Sequence, residues 1–489
     1  MVEITLSNFI DGELVGPFAG SYLNAENPTT GEIYAAVPDS DADDVNAAVA
    51  AARRAFPSWA ETTRAERSEI LLQIAQLNEE RADAFAAAES RDMGKSESLA
   101  LEKEIPRAAA NFKYFATFIL HEGASAFATH MDGDFLNYTH HEPVGVAGLI
   151  SPWNWPLYLL TSKIAPCIAF GNTCVVKASE MTSVTAWMLT ECFKEAMLPP
   201  GVVNMVFGTG HRCGQPLVAH PHVDLVSFTG STLTGKHVAM TAAPLFKKLC
   251  LEMGGKNAGV IFSDVNLREV VPKVVDACFR NQGEICLSLE RIYVHTDIFD
   301  DFVHRFVAAA ERERIGDPSN PNTTMGPLIS KAHLNKVLGA VEQARSEGGL
   351  IHTGGHGLTG EEEDFDTIQG GHFMYPTVIS GLMQDSDLTQ EEIFGPVVCL
   401  YRFETEEDGI DLVNDTDYGL CSAIFTNDIR RANRMSRKLK VGTVWINCWL
   451  VRHLSMPYGG VKQSGLGTEG GKSSHQFFTN DKSVCSANY

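Results

Sequence analysis

The stretch "VGVAGLISPWNWPLYLLTSKIAPCIAFGNTCVVKASE", residues 144–180, decides the fold. It opens with a short apolar run, passes into a helical stretch and closes on a second apolar run, TCVVK. The alternation continues downstream with a helix, VVNMVF, a short helix and DLVSF. Strands that alternate with helices imply a parallel sheet joined by crossover helices. A second series starts with AGVIF near residue 258, passes through ERIYVH and the helix IFDDFVHRFVAAAERE, and runs on to VGTVWIN (441–447). Upstream, DADDVNAAVAAARRAF (41–56) reads as a helix whose early acids complement its dipole. The charged, alanine-rich stretch 63–103 also reads as helical, and DFLNYTHHEPVG alternates as a hairpin arm does. The Gly- and acid-rich segment 353–371 reads as a surface loop, and PYGGVKQSGLGTEGGKSS (457–474) as a glycine-rich loop near a site. The expectation is an α/β protein with two parallel-sheet domains and a small arm.

The totals agree. At 489 residues the chain exceeds one core and suggests roughly two to four domains. A net charge of -22 argues against nucleic acid or an anionic membrane as partner. It would also repel a small anionic substrate, so such a substrate would need arginines to hold it locally. Eleven cysteines, an odd number with no CxxC pair, argue against a disulfide framework or a zinc ribbon. They suit a reducing compartment. The opening MVEITLSNFIDGELVG lacks a basic, apolar signal pattern, and no apolar run reaches the ~18 residues of a membrane span. A cytoplasmic protein is expected.

Several short motifs can carry chemistry. VFGTGHRCG (206–214) follows a strand and opens a helix, so Gly210 can face a phosphate, although the glycine spacing also fits a plain strand-to-helix turn. In SFTGSTLTGK (227–236), Ser231 and Thr232 can present hydroxyls and N–H groups at a helix start. Lys177 and Glu180 of VVKASE can bond ribose hydroxyls, or simply pair on a surface. A carboxylate there disfavours a 2′-phosphate and so favours NAD over NADP. Glu252 of LEMGGKN ends an apolar strand beside two glycines, as a base on water would or as a solvated acid would. Asn154 lies between two tryptophans at a helix start, either as an oxyanion donor or as an N-cap. Cys286 follows the polar break RNQGE, which puts it at a turn, yet a cysteine is more often a small buried hydrophobe.

Taken in order, SPWN, VVKASE, FTGS, LEMGGKN, GEIC, EEIFGP (391–396) and PYGGVKQSGLG (457–467) resemble the NAD(P)-dependent aldehyde dehydrogenase superfamily along essentially the whole chain. The resemblance implies Cys286 as nucleophile, Glu252 as base and Asn154 as oxyanion donor. It implies NAD held by Trp153, Lys177, Glu180, Gly210, Ser231, Glu392 and Phe394, and no metal. It implies an NAD-binding domain over 1–123 and 144–254, a catalytic domain over 255–456, and an arm and tail over 124–143 and 470–489 that join copies into a homodimer or homotetramer. Ala178 and Thr468 stand where relatives often have proline and arginine.

Within the superfamily, EIPRAAANFKYFA (104–116), SPWNWPLYLLTSKIAP (151–166) and INCWLVRHLSMPYGG (446–460) resemble the 2-aminomuconic and 2-hydroxymuconic semialdehyde dehydrogenases. These act on aldehydes with a distal carboxylate that arise in aromatic-compound or tryptophan catabolism. The resemblance implies Arg107 and Arg452 as carboxylate anchors, with Tyr158, Leu287 and Trp449 lining an apolar channel, though core packing is open to each of the three. A neutral or betaine-type aldehyde is the alternative substrate.

Overall fold

The structure, a computed structural model, describes residues 2–129, 134–362 and 365–487. Its first large sheet runs in the order Gly465–Leu466, Lys248–Glu252, Leu225–Thr229, Val146–Ile150, Thr173–Lys177, Val203–Met205, Asn8–Ile10 and Glu13–Val15. The five strands from Lys248–Glu252 to Val203–Met205 are parallel. Helices such as Ala42–Ala60 and Pro156–Ala169 pack against them. That explains why Val146–Ile150 and Thr173–Lys177 are buried at every residue and read as unbroken apolar runs. The chain enters this set at Val146–Ile150, works outward to Val203–Met205, then crosses back to Leu225–Thr229 and Lys248–Glu252. The reversal opens a crevice at the carboxyl ends of Val146–Ile150 and Leu225–Thr229, where open α/β sheets take ligands.

The second large sheet runs Leu350–Thr353, Thr377–Ser380, Val397–Phe403, Leu289–His295, Asn257–Ile261, Cys421–Phe425 and Thr443–Ile446. It is parallel except at Leu350–Thr353. Only residues 253–256 separate the end of Lys248–Glu252 from the start of Asn257–Ile261. The chain thus passes from a carboxyl end of one sheet to an amino end of the other.

Smaller sheets complete the fold. Thr479–Ala487, Phe135–Pro143 and Ala126–Thr129 are antiparallel, so the expected hairpin is present and a strand of the C-terminal tail joins it. Residues 130–133 of the expected arm and 488–489 of the expected tail lie outside the described residues. Another three-stranded sheet holds Ile4–Thr5, Glu32–Pro38 and Tyr22–Asn27.

The stretch 63–103 is helical but interrupted. Arg64–Glu80 opens with a Thr63 capping box, and Ala82–Met93 ends at Gly94, φ 85°. Ser96 then caps a new start that runs through a π-helical turn, Ala100–Glu104, into Ile105–His121. Two segments expected as loops carry helix. One is Phe365–Ile368. The other is Gly471–Phe478, which buries Ser474, His475 and Phe478 along one face and is therefore held by packing despite its glycines.

Candidate active site

The two large sheets meet end to end. The first contributes residues that end or follow its strands: Trp153 and Asn154, Lys177 and Glu180, Gly210, Ser231, and Glu252. The second contributes residues that precede its strands: Cys286 before Leu289–His295, and Glu392 and Phe394 before Val397–Phe403.

Asn154 is not a cap. The N-cap position of Pro156–Ala169 belongs to Trp155, without a side-chain cap bond, and proline at the first turn removes one N–H. The next two amides are taken by buried carboxylates, with Leu157 donating to Glu89 at 3.0 Å and Tyr158 to Glu104 at 3.2 Å. The Asn154 side chain is thereby released for other work. Its Nδ2 donates to the Glu284 carbonyl at 3.0 Å. Its own carbonyl accepts from Lys95 Nζ and Asn281 Nδ2, each at 3.2 Å. Lys95 is fully buried, bonded to Glu104 and 4.2 Å over the Trp155 ring.

Cys286 leaves a distorted turn after the helix Leu267–Phe279. Asn281 and Gln282 have φ of 53° and 58°, and Gly283 has φ 73°. A Cβ at Gly283 would overlap the Gly395 carbonyl, so glycine is what lets the Cys286 turn touch the Phe394 loop. The Cys286 carbonyl accepts from Asn257 Nδ2 at 2.7 Å, and Sγ lies 3.6 Å from Tyr458 Oη. Burial, with the charges of Glu392 and Glu252 adding to it, pushes the thiol up to about 12. The resting sulfur is a thiol.

Glu252 is close enough for its charge to act on that thiol. It is buried, and neither carboxyl oxygen has a hydrogen-bond partner among the described residues. Burial and the charge of Glu469 raise its pKa well above the carboxylate range. Behind it, buried Lys163 donates to Glu469 at 2.8 Å and to Ser227 Oγ at 3.1 Å.

The Glu392–Phe394 loop is anchored from below. Glu290, paired with buried Lys256 at 2.5 Å, accepts the N–H of Ile393 at 3.0 Å and of Phe394 at 2.8 Å. Glu392 accepts the Gly255 N–H at 2.9 Å, and burial lifts its pKa to about 7. Phe394, at φ 61°, meets Trp153 edge-on with centroids 5.3 Å apart, and its carbonyl accepts from His333 Nε2 at 2.6 Å. Burial lowers His333 to about 4, which keeps it neutral.

On the first sheet, Lys177 is buried at its strand end and bonds Glu180 at 2.6 Å, not on a helix face as simple i,i+3 pairing would have it. Ser231 is the N-cap of Thr232–Ala242, accepting from Thr234 N–H at 3.3 Å. Gly210 opens a π-helical turn, and a Cβ built on it would meet nothing within 4 Å.

Arg107 and Arg452 come together from residues 345 apart in sequence. Arg107 Nη1 donates to the Arg452 carbonyl at 3.3 Å, and Arg452 Nη1 donates to Tyr158 Oη at 2.9 Å. The Arg107 guanidinium lies 5.6 Å from the Tyr158 ring centre and that of Arg452 3.7 Å from the Tyr458 ring centre. Among the described residues neither arginine forms a hydrogen-bonded ion pair with an acid, although the charges of Glu469 and Glu252 reach Arg452, and Arg107 Nη2 and Arg452 Nε are buried N–H groups without acceptors. Leu287 and Trp449 are buried in the same apolar cluster, Trp449 donating to the Leu287 carbonyl at 2.9 Å, while Tyr158 is half-exposed at its edge.

Sequence reasoning missed Tyr458, Glu284, Lys256 with Glu290, and Lys163 with Glu469. Tyr458 and Glu284 stand inside PYGGVKQSGLG and GEIC, but the resemblance implies no role for either. The two lysine–acid pairs join residues 34 and 306 apart, which no local pattern reveals.

The aldehyde dehydrogenase family pattern matches residues 18–484. The 2-aminomuconic semialdehyde dehydrogenase of Danio rerio is 49% identical over 490 residues, covering 99% of this chain and 98% of that protein. The human enzyme of the same name is 48% identical over 488 residues, covering 98% of each. The 2-hydroxymuconic semialdehyde dehydrogenase of Pseudomonas sp. (strain CF600) is 41% identical over 484 residues, covering 98% and 99%. Among solved structures, an NAD+ complex of aldehyde dehydrogenase from Bacillus cereus matches with a TM-score of 0.95 and 36% identity, covering 99% of this chain and 96% of that one.

Proposed function

This chain belongs to the aldehyde dehydrogenase family, and we propose that it oxidises a semialdehyde with a distal carboxylate, of the 2-aminomuconic or 2-hydroxymuconic type, to the dicarboxylic acid with NAD. One observation carries the substrate reading: two converging guanidinium groups with buried, unaccepted N–H groups and no hydrogen-bonded acid partner among the described residues. Leaving such donors unsatisfied costs about 1–3 kcal/mol each, more for charged groups. A bidentate carboxylate satisfies them. A neutral tail leaves them orphaned, and the cationic tail of a betaine-type aldehyde would be repelled.

The residues at the carboxyl ends of the first sheet fit a dinucleotide. Glu180 offers a part-exposed carboxylate oxygen beyond its bond to Lys177, suited to ribose hydroxyls and unsuited to a 2′-phosphate. The turn at Gly210 opens onto free space, and Ser231 opens a helix whose N-terminus suits phosphate. Trp153, Glu392 and Phe394 would hold the nicotinamide half. When bound, NAD supplies the hydride acceptor.

The chain's own residues do the rest. Glu252 takes the Cys286 proton, and the thiolate sulfur adds to the aldehyde carbon. The resulting alkoxide accepts hydrogen bonds from the Asn154 amide and the Cys286 backbone N–H; losing one such donor costs about 3 kcal/mol. After the hydride leaves, a thioester remains on Cys286. Glu252 passes the cysteine proton to solvent and, as a carboxylate again, draws a proton from water, which attacks the thioester carbon; the acid leaves, and Glu252 returns that proton to the departing sulfur. Eleven thiols without a disulfide suit the cytoplasm, and no helix among the described residues is long and apolar enough to cross a membrane. The sheet of Phe135–Pro143 and Thr479–Ala487 offers edges for joining copies into a dimer or tetramer.

The test is kcat/KM with NAD for 2-hydroxymuconic semialdehyde against a neutral unsaturated aldehyde of equal length. The expected preference is about a hundredfold, or ~2.7 kcal/mol of transition-state discrimination. It should collapse in Arg452→Ala. Equal rates on both aldehydes in the wild type would overturn the substrate reading.

A further inference from the structure

Tyr458 is buried, and its position is over-determined. Its N–H donates to the Glu469 carbonyl at 2.8 Å, and its carbonyl accepts from the Glu469 N–H at 2.7 Å. Arg452 lies on its ring face at 3.7 Å. The phenol oxygen stands 3.6 Å from Cys286 Sγ, and no other hydrogen-bond partner for it occurs among the described residues. A thiol is a weak partner for a buried hydroxyl, so packing alone would be served as well by a phenyl ring. A thiolate is a strong acceptor.

We propose that Tyr458 is a further catalytic residue, whose hydroxyl donates a hydrogen bond to the Cys286 thiolate and stabilises the nucleophile before it attacks. The inference rests on the assignment of Cys286 as nucleophile. No bond to Tyr458 forms or breaks, and its proton stays on oxygen. The proton leaving sulfur goes to Glu252. As the carbon–sulfur bond forms, negative charge passes from sulfur to the substrate oxygen and the phenol's bond weakens. The cation on the ring face makes the phenol a better donor, so Arg452 acts on the nucleophile as well as on the substrate tail. The other ionisable groups that act on Cys286 are Glu392, Glu252 and Cys421. Both carboxylates oppose the thiolate, which leaves the phenol and Arg452 as the groups that favour it.

The experiment is the pH dependence of Cys286 alkylation by iodoacetamide in the full-length enzyme, read by peptide mass spectrometry to separate Cys286 from the other ten cysteines. In Tyr458→Phe the ring and the Arg452 stack remain. The alkylation midpoint should rise by about one unit, a tenfold loss of thiolate at fixed pH below it. With 3-fluorotyrosine at 458, a more acidic phenol, the midpoint should fall below that of the wild type, a result that a folding defect would not produce. The kcat/KM deficit of Tyr458→Phe should shrink as pH rises. Unchanged midpoints in both variants would overturn the proposal. A wild type that forms no NADH from any carboxylated semialdehyde would instead overturn the substrate reading, and the alkylation midpoints would still decide the role of Tyr458.

Discussion

The two sheets present opposite ends to the same cleft. On the side proposed to hold the cofactor, Lys177, Gly210 and Ser231 stand at or after strand ends, at a strand terminus, a π-helical turn and a capped helix start. On the nucleophile side, Cys286 and Phe394 stand before strands, in turns where Asn281, Gln282 and Phe394 take positive φ and where the buried Lys256–Glu290 pair holds the backbone. Such conformations cost on the order of 1–3 kcal/mol each for non-glycine residues and persist only where the surroundings fix them. The contrast teaches that the cofactor side is built by local rules and the nucleophile side by long-range ones. Glu252 is the exception, a residue of the first sheet that is buried with no hydrogen-bond partner for its carboxyl group among the described residues.

Substitutions on the two sides should therefore differ in size. The largest effect belongs to Cys286→Ala, which should abolish NADH formation; turnover surviving in purified mutant would break the comparison at its centre. Next is Glu252→Gln, expected to lower kcat by about 10²–10⁴-fold. A raised carboxyl pKa means the basic form is populated only above it, so wild-type activity should fall as pH drops through that value, well above 4.5. In Glu252→Gln this limb should disappear from the pH profile. A limb that survives the substitution would assign it to another group, Glu392 being the nearest in kind.

Lys256→Met leaves Glu290 buried without its cation, and denaturant unfolding should register a loss of about 3–5 kcal/mol. Because Glu290 holds the amides of Ile393 and Phe394, KM for NAD should rise with it. Loss of stability with an unchanged KM would show that the pair supports the fold without setting the loop. The smallest effect is expected on the cofactor side: Ser231→Ala removes one cap, worth about 1 kcal/mol. A larger loss in NAD affinity than in stability would reveal a direct role for the hydroxyl.

The same contrast explains what the sequence could show. The parallel sheets were legible in residues 144–180 because strands buried on both faces, between crossover helices, leave a simple pattern. Lys177, Ser231 and Glu252 were legible one by one as candidates, since each ends its strand or follows it within a few residues. Cys286 and Phe394 were legible only through a family resemblance, because a residue ahead of a strand in an irregular turn has no periodicity to mark it. Asn154 stood between two readings until the helix start was seen to be served by Glu89 and Glu104 from distant segments. Tyr458 lay within a recognised motif, but its hydroxyl acquires meaning only at 3.6 Å from sulfur.

The π-helical turn Ala100–Glu104 sets a rule for how this protein can vary. Its i→i+5 bonding accommodates a residue more than an α-turn would. Upstream of it, Lys95 must meet Glu104 and the Asn154 carbonyl; downstream, Arg107 must face Arg452. Deleting exposed Leu101 would restore a regular helix and rotate one segment against the other by about 100°. Point substitutions leave that phase untouched. Insertions and deletions do not, so a single codon lost here would part Arg107 from the Lys95 contacts that hold Asn154.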